Sequence, residues 1–201
     1  MRRLEGLILL VLFLVCLLCG CAEVPKEMPK AVTAPPKPEV KPMPPEVPGV
    51  LKLPHVPITD WRYVVVHHSA SPSGSAEAFD YYHRVKRGWD RGLGYHFVIG
   101  NGNGTRNGQV EVGHRWMYQI EGAHAGQAEY NQHGIGICLV GDFDEDCPTG
   151  EQLESLVSLI RELQRVCHIP SENVVMHRHI KTTECPGRNF PYYEVLTQLL
   201  Q

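Results

Sequence analysis

The prolines of this 201-residue chain are distributed unevenly, which limits where a compact domain can form. Eleven of the sixteen prolines lie between residues 24 and 58, among Lys, Glu and Val and without a periodic apolar face. Such a segment favours polyproline II, so it reaches roughly 100 Å when fully extended. We therefore interpret residues 21–58 as a tether and residues 59–201 as a single folded domain. An unstructured segment without a spacing role would have the same composition.

The first twenty residues have the pattern of an export signal. Arg2 and Arg3 precede the apolar run Leu7 to Leu18, which is shorter than the ~20 residues needed to span a bilayer. The sequence Leu18-Cys19-Gly20-Cys21 then resembles the lipobox of bacterial lipoproteins. We expect residues 1–20 to be a signal peptide, Cys21 to carry lipid, and the protein to be anchored to a membrane, facing the periplasm or cell wall. A cleaved signal without an anchor is the alternative.

Apolar runs alternate with helical patterns downstream of Thr59. The predicted strands are Tyr63–His68, Leu93–Ile99, Gln109–Val112, Ile135–Val140 and Asn173–Met176. The predicted helices are Ala76–Lys86, a helix that begins with the capping box of Thr149 and Gln152, and Pro191–Leu200. The sequence Asn101-Gly-Asn-Gly104 is typical of a type I′ hairpin. Together these elements predict an α/β domain with a central mixed β-sheet flanked by helices.

Four cysteines lie within the predicted domain. Cys147 and Cys167 bracket a predicted helix of ~25 Å, far longer than the ~7 Å Cα separation that a disulfide tolerates. We therefore predict no bridge between them, and we expect Cys138, inside an apolar run, to be a core residue. The acidic loop Asp142–Asp146 favours a solvated turn over a calcium site, because it lacks EF-hand spacing.

The charge of the chain argues against a nucleic-acid partner. Its formal net charge is −3, and no cluster of Lys and Arg provides a footprint for a polyanion. We expect a monomer.

A His and a Cys eight residues apart, His177 and Cys185, flank a turn near the C-terminus. Neutral imidazole and thiolate are zinc ligands, and a catalytic zinc site keeps three protein ligands with the fourth position open. The third ligand is predicted to be one of His67 and His68, which end the first strand, because only one of two adjacent strand residues can face a given site. A structural zinc site closed by His179 or His68 is the alternative.

These motifs resemble those of the zinc-dependent N-acetylmuramoyl-L-alanine amidases of the type 2 family, which include the peptidoglycan recognition proteins. The resemblance covers about Trp61 to Pro191 and implies that family's fold. It implies one zinc ion held by His67, His177 and Cys185. Val66-His67-His68-Ser69-Ala70 is similar to the segment with the first ligand, and Thr183-Glu-Cys185-Pro-Gly187 to the segment with the last.

The same resemblance implies roles for four further residues. Tyr95, in Gly94-Tyr-His-Phe97, corresponds to the catalytic tyrosine, and Thr183 lies beside it in the implied site. His124 and Asn131 correspond to residues that line the substrate groove. One branch of the family has Asp as the last ligand and Glu at the position of Cys138, so the general base of this chain stays unassigned.

The implied activity is hydrolysis of the amide between the lactyl group of N-acetylmuramic acid and L-alanine, with peptidoglycan or muropeptides as substrate. The alternative is a peptidoglycan-binding module of the same fold without catalysis.

Overall fold

The computed structural model describes residues 51–201. The predicted signal peptide, the lipidation site Cys21 and the tether up to residue 50 lie outside the described residues.

A mixed five-stranded sheet forms the centre of the described region, in the order β3-β2-β4-β1-β5. Its strands are β1 (Tyr63–His68), β2 (Phe97–Ile99), β3 (Val110–Val112), β4 (Gly134–Leu139) and β5 (Val174–Met176). β1 is parallel to β4 and β5, β2 is parallel to β4, and the edge strand β3 is antiparallel to β2. The predicted α/β class with a mixed sheet is confirmed.

Six α-helices surround this sheet in residues 51–201. They are α1 (Ala76–Val85), α2 (His114–Met117), α3 (Ala128–Gln132), α4 (Gly150–Cys167), α5 (His177–Ile180) and α6 (Tyr192–Leu199). The sequence patterns predict α1, α4 and α6. The other three have only four or five residues, too few to show a helical period, and the sequence did not indicate them.

One face of the sheet is covered by α4 and α6 and forms the main core. The predicted capping box starts α4: Thr149 Oγ1 accepts from the Gln152 N–H and Gln152 Oε1 accepts from the Thr149 N–H. The buried stripe of α4 packs with Val64 and Val66 of β1 in one cluster. Since side chains alternate along a strand, Val65 and His67 of β1 face the opposite side.

β2 is shorter than predicted, because Leu93 and Gly94 bond to groups outside the sheet. Asp80 Oδ1 accepts from the Leu93 N–H, and the Gly94 carbonyl accepts from the Ala123 N–H. The antiparallel β2–β3 hairpin is confirmed, but the type I′ turn is wrong, because Gly102 and Gly104 have a positive φ and Asn101 and Asn103 do not. Residues 100–109 connect the strands, and Asn101 and Asn103 donate to the Pro72 carbonyl, which draws this long loop onto the segment before α1.

The folded region extends to the N-terminal side of the predicted boundary at Thr59. Leu51 is buried in the main core, the Lys52 carbonyl accepts from the Trp116 indole N–H, and the His55 N–H donates to the Met117 carbonyl. Residues 51–58 therefore belong to the domain and not to the tether.

The cysteines of the described region, including Cys147 and Cys167, are all free, as predicted for that pair. Across residues 51–201 the structure contains no helix with the length and apolar character of a transmembrane span.

Candidate active site

Three sequence-predicted residues meet where neighbouring parallel strands end. His67 lies near the end of β1, His177 begins α5 directly after β5, and Cys185 follows in the loop after α5. One donor atom from each lies within 4.8 Å of the others. Within residues 51–201, no fourth His, Cys, Asp or Glu belongs to this group. Residues 118 positions apart in sequence thus converge because β1 pairs with β5.

The alternation of side chains along β1 separates His67 from His68. His67 is 1% exposed and faces Cys185, whereas the ring of His68 packs against Phe143 on the core side. His68 Nδ1 accepts from the Phe143 N–H, at 3.1 Å. His179 is also turned away, with its ring against Tyr192. Neither residue belongs to the three-donor group, so the structure does not support the closed structural site weighed from the sequence.

A chain of hydrogen bonds sets the orientation of the His67 ring. His124 Nε2 lies 3.1 Å from the Gly134 carbonyl, so it carries the proton and donates. His124 Nδ1 then accepts from His67 Nε2, at 3.0 Å. His67 Nδ1 is left unprotonated and faces Cys185 Sγ at 3.7 Å. Metal-binding histidines are oriented in this manner by a partner on the other ring nitrogen.

The other two donors are oriented by backbone groups. His177 Nε2 donates to the Ala125 carbonyl at 3.1 Å. His177 Nδ1 is therefore unprotonated, and its lone pair is available to a metal ion. The His68 N–H donates to Cys185 Sγ at 3.4 Å. Arg178 fixes the loop after α5, since its backbone N–H donates to the Cys185 carbonyl.

The electrostatics of the site favour a bound cation. Burial lowers the pKa of His67 well below its ordinary range, and the neighbouring rings of His124 and His177 add to this. Burial likewise lowers the pKa of His177. Both imidazoles are therefore neutral, as metal ligands must be. Burial raises the pKa of the Cys185 thiol to about 12, and a nearby cation reverses such a shift by favouring the thiolate.

The donor set fits zinc. Two imidazole nitrogens and one thiolate make a three-ligand set that leaves one position of a tetrahedron open. Zinc–nitrogen and zinc–sulfur bond lengths in a tetrahedron place the two donors ~3.6 Å apart, and His67 Nδ1 and Cys185 Sγ are 3.7 Å apart. The identification of these residues as the ligands is a prediction that this geometry supports.

Tyr95 lies beside the three donors. Its ring centroid is 5.3 Å from that of His67, and its hydroxyl lies close to the thiol of Cys138. Burial, followed by the thiols of Cys138 and Cys185, raises the pKa of Tyr95 well above its ordinary value. The hydroxyl is thus protonated at neutral pH and able to donate.

The domain matches a known family over most of its length. The family model described as "N-acetylmuramoyl-L-alanine amidase" matches residues 57–188. This chain belongs to the N-acetylmuramoyl-L-alanine amidase family. Among curated proteins it is similar to peptidoglycan-recognition protein LB of Drosophila melanogaster, with 31% identity over 135 residues. That match covers 62% of this chain and 54% of the relative, so the chain spans about half of that protein's length.

Solved structures of the family have the same fold. The endolysin amidase LysCS of Clostridium intestinale superposes with a TM-score of 0.60 at 30% identity, over 70% of this chain and 84% of that one. A Drosophila peptidoglycan recognition protein LB variant in complex with tracheal cytotoxin has a TM-score of 0.55 at 27% identity, over 71% of this chain and 86% of that one. The predicted amidase type 2 and peptidoglycan recognition protein fold is confirmed.

The structure shows supporting hydrogen bonds for the two residues to which the resemblance assigned the substrate groove. His124 is 9% exposed, and its two ring nitrogens are occupied by His67 and Gly134. The His124 ring therefore orients the predicted ligand His67, and neither of its nitrogens is free to bond to a substrate. Asn131 Oδ1 accepts from the N–H groups of His124 and Ala125, which fixes the loop that holds both His67 and His177 in place. Contact of Asn131 with substrate stays a prediction.

The remaining polar residues near the site have local roles. Thr183 Oγ1 accepts from the Cys185 N–H at 3.3 Å, which leaves the hydroxyl proton of Thr183 free to donate. Burial raises the pKa of Cys138 well above its ordinary value, so its thiol is unsuited to act as a base at neutral pH.

A second group of possible ligands, His68, Asp142 and Asp144, does not form a convincing metal site. His68 Nδ1 already accepts from Phe143, and Asp144 Oδ1 accepts from the Arg188 N–H and lies 3.7 Å from its guanidinium. The acidic loop is a turn held by backbone and arginine contacts, in line with the interpretation from sequence.

Proposed function

We propose that the domain is a zinc-dependent N-acetylmuramoyl-L-alanine amidase, which hydrolyses the amide between the lactyl group of N-acetylmuramic acid and L-alanine in peptidoglycan. The observation that carries this proposal is the three-donor group of His67, His177 and Cys185, with the ring of Tyr95 beside it. Membership of the amidase family supports the same reaction.

The three donors would hold the ion, and each chain residue around them has a defined part. A bound zinc ion supplies a Lewis acid and lowers the pKa of a coordinated water toward ~7. His124 and Ala125 keep the two imidazoles in the tautomer that presents Nδ1. The His68 N–H stabilises the thiolate of Cys185.

Tyr95 and Thr183 supply hydrogen-bond donors for the negative charge that develops on the carbonyl oxygen of the substrate. The Tyr95 hydroxyl keeps its proton because its pKa is raised by burial. Loss of one such donor typically lowers the rate by ~10²–10³. We therefore expect Tyr95→Phe to lower kcat by about this factor without changing zinc affinity.

A direct test is to incubate the zinc-loaded protein with muropeptides and to identify the products by mass spectrometry. We expect release of the free stem peptide. His177→Ala and Cys185→Ala should each lower activity by more than ~100-fold, beyond what loss of an outer-shell partner costs. His55→Ala is the control, since the His55 ring packs against Tyr118 and takes no part in the three-donor group. Full activity of Cys185→Ala would contradict the proposed function.

Binding without cleavage is the other outcome of that assay. Several relatives are described as peptidoglycan-recognition proteins, and a wild-type protein that binds muropeptides but leaves the amide intact would be a recognition module.

We further propose that the protein is exported and anchored through lipid on Cys21, with the proline-rich tether as a spacer. The support is the Arg2-Arg3 start, the apolar run and the Cys21 motif of the sequence. In a bacterial host, mass spectrometry of the N-terminal peptide should show an acylated Cys21, and Cys21→Ser should move the protein out of the membrane fraction. An unmodified Cys21 in the wild-type protein would contradict the anchor.

A further inference from the structure

A polar depression of about 700 Å³ lies between the loop at Gly126 and helix α5. Its lining includes Gly126, Gln127, Arg178, Lys181 and Thr182. One wall follows Ala125, whose carbonyl accepts from His177, and the other is α5, which begins with His177. The two walls are joined by a hydrogen bond from Gln127 Nε2 to the Ile180 carbonyl. The depression therefore adjoins the two segments that position His177, although none of the three predicted ligands lines it.

Lys181 is held at this position by the backbone around it. Its N–H donates to the His177 carbonyl at 3.1 Å, as the last turn of α5. Its ammonium lies over Gly126, only 2.5 Å from where a Cβ would be. Gly126 has φ +68°, a conformation that favours glycine, so the close approach depends on this residue.

The charge of the depression is positive and unbalanced. No residue that lines it is acidic, and Lys181 forms no ion pair with any carboxylate of residues 51–201. Arg178 is already engaged, since it donates to the Gly187 carbonyl at 2.8 Å. Lys181 is thus the cation of the depression whose ammonium forms neither a side-chain hydrogen bond nor an ion pair within residues 51–201, and ammonium groups bind carboxylates as compact point charges.

We propose that Lys181 binds the α-carboxylate of the stem-peptide residue that follows L-alanine, so that the domain prefers stems with this carboxylate over stems amidated there. This inference rests on the proposed function for the identity of the ligand. It adds the substrate class: a muramyl peptide whose residue after L-alanine carries a carboxylate in place of a carboxamide.

The test compares muramyl-L-alanyl-D-glutamate with muramyl-L-alanyl-D-isoglutamine, which both keep the γ-carboxylate and differ only at the α-carbon, as a carboxylate and a carboxamide. With the zinc-loaded full-length protein, we expect kcat/KM to favour the carboxylate by about 3–10-fold at low salt, the range of a partly exposed ion pair with an added hydrogen bond. Lys181→Met should remove the preference by raising KM for the carboxylate substrate alone. Lys181→Arg should retain most of it.

Lys52→Met is the matched control, because Lys52 is exposed and lies near Trp116 on the core side of the sheet. It should leave the preference unchanged. The inference would be overturned if Lys181→Met lowered the activity on both substrates equally, or if it changed the activity on neither substrate.

Failure of the proposed function would be seen separately. If the wild type cleaves neither substrate, calorimetric binding of the same two ligands decides the question. Tighter binding of the carboxylate that is lost in Lys181→Met, and weakened by salt, supports the inference. Equal affinity for both ligands, or binding of neither, overturns it.

Discussion

His124 is expected to control zinc affinity although it is not a predicted ligand. In His124→Leu, the Nε2–H of His67 loses its acceptor at a residue that is 1% exposed. An unpaired buried donor costs about 1–3 kcal/mol. The His67 ring can avoid this cost by moving its proton to Nδ1, but Nδ1 is then no longer a ligand. Loss of an outer-shell partner typically weakens metal binding about 10–100-fold, or ~1.4–2.7 kcal/mol.

Zinc affinity at neutral pH can be measured by competition with a chromophoric chelator. We expect His124→Leu to bind zinc about 10–100-fold more weakly than the wild type, and His124→Gln, which retains an acceptor oxygen, to recover part of the loss. His133→Gln is the control, because His133 bonds to the Asp60 carbonyl before β1 begins.

The result that would refute this reasoning is wild-type zinc affinity in His124→Leu. If muropeptide binding fell at the same time, the groove role implied by the family resemblance would be correct instead.

Three further predictions follow from the packing around the site and the core. Gly136→Ala places a Cβ 2.5–2.8 Å from ring atoms of His124, so zinc affinity should fall in the chelator assay, whereas unchanged affinity would mean that the ring has room to move. Gln152 is fully buried, and its side-chain amide donates to the carbonyls of Ile99 and Val140 at the ends of two strands. Gln152→Leu should lower the free energy of unfolding, measured in urea, by about 2–3 kcal/mol. A loss below ~0.5 kcal/mol would contradict this prediction. Burial lowers the pKa of His96 well below its ordinary range, so the unfolded chain takes up protons that the native state cannot. The free energy of unfolding of the metal-free protein should therefore be constant above pH ~6.5 and should fall below that pH. A urea midpoint that does not change between pH 8 and 5 would contradict this prediction.

The elements that the sequence predicted well are those with a local pattern. The runs of β1 and β4, the stripe of α4 and its Thr149–Gln152 capping box each follow from residues close together in the chain. Boundaries failed where distant contacts intervened. Leu93 bonds to Asp80 instead of extending β2, and Leu51 packs into the core ahead of the predicted domain start.

The sequence also carried enough information to choose the candidate zinc ligands. The His177–Cys185 spacing, the His67-His68 pair at a strand end, and the order of the family motifs indicate a three-ligand site. Because side chains alternate between the two faces of a strand, only one of two adjacent histidines can face that site. The family resemblance assigns His67, and the packing of Val64 and Val66 against α4 places His67 on the opposite face of the sheet.

Tertiary structure alone decided what surrounds those ligands. His124 lies 57 positions from His67 in the chain, and the Ala125 carbonyl lies 52 positions from His177. Lys181 becomes part of a depression because Gly126 leaves room for its ammonium. The physical reason is that periodicity and spacing describe how a residue relates to its own strand or helix. Hydrogen bonds between loops depend on how the sheet brings those elements together.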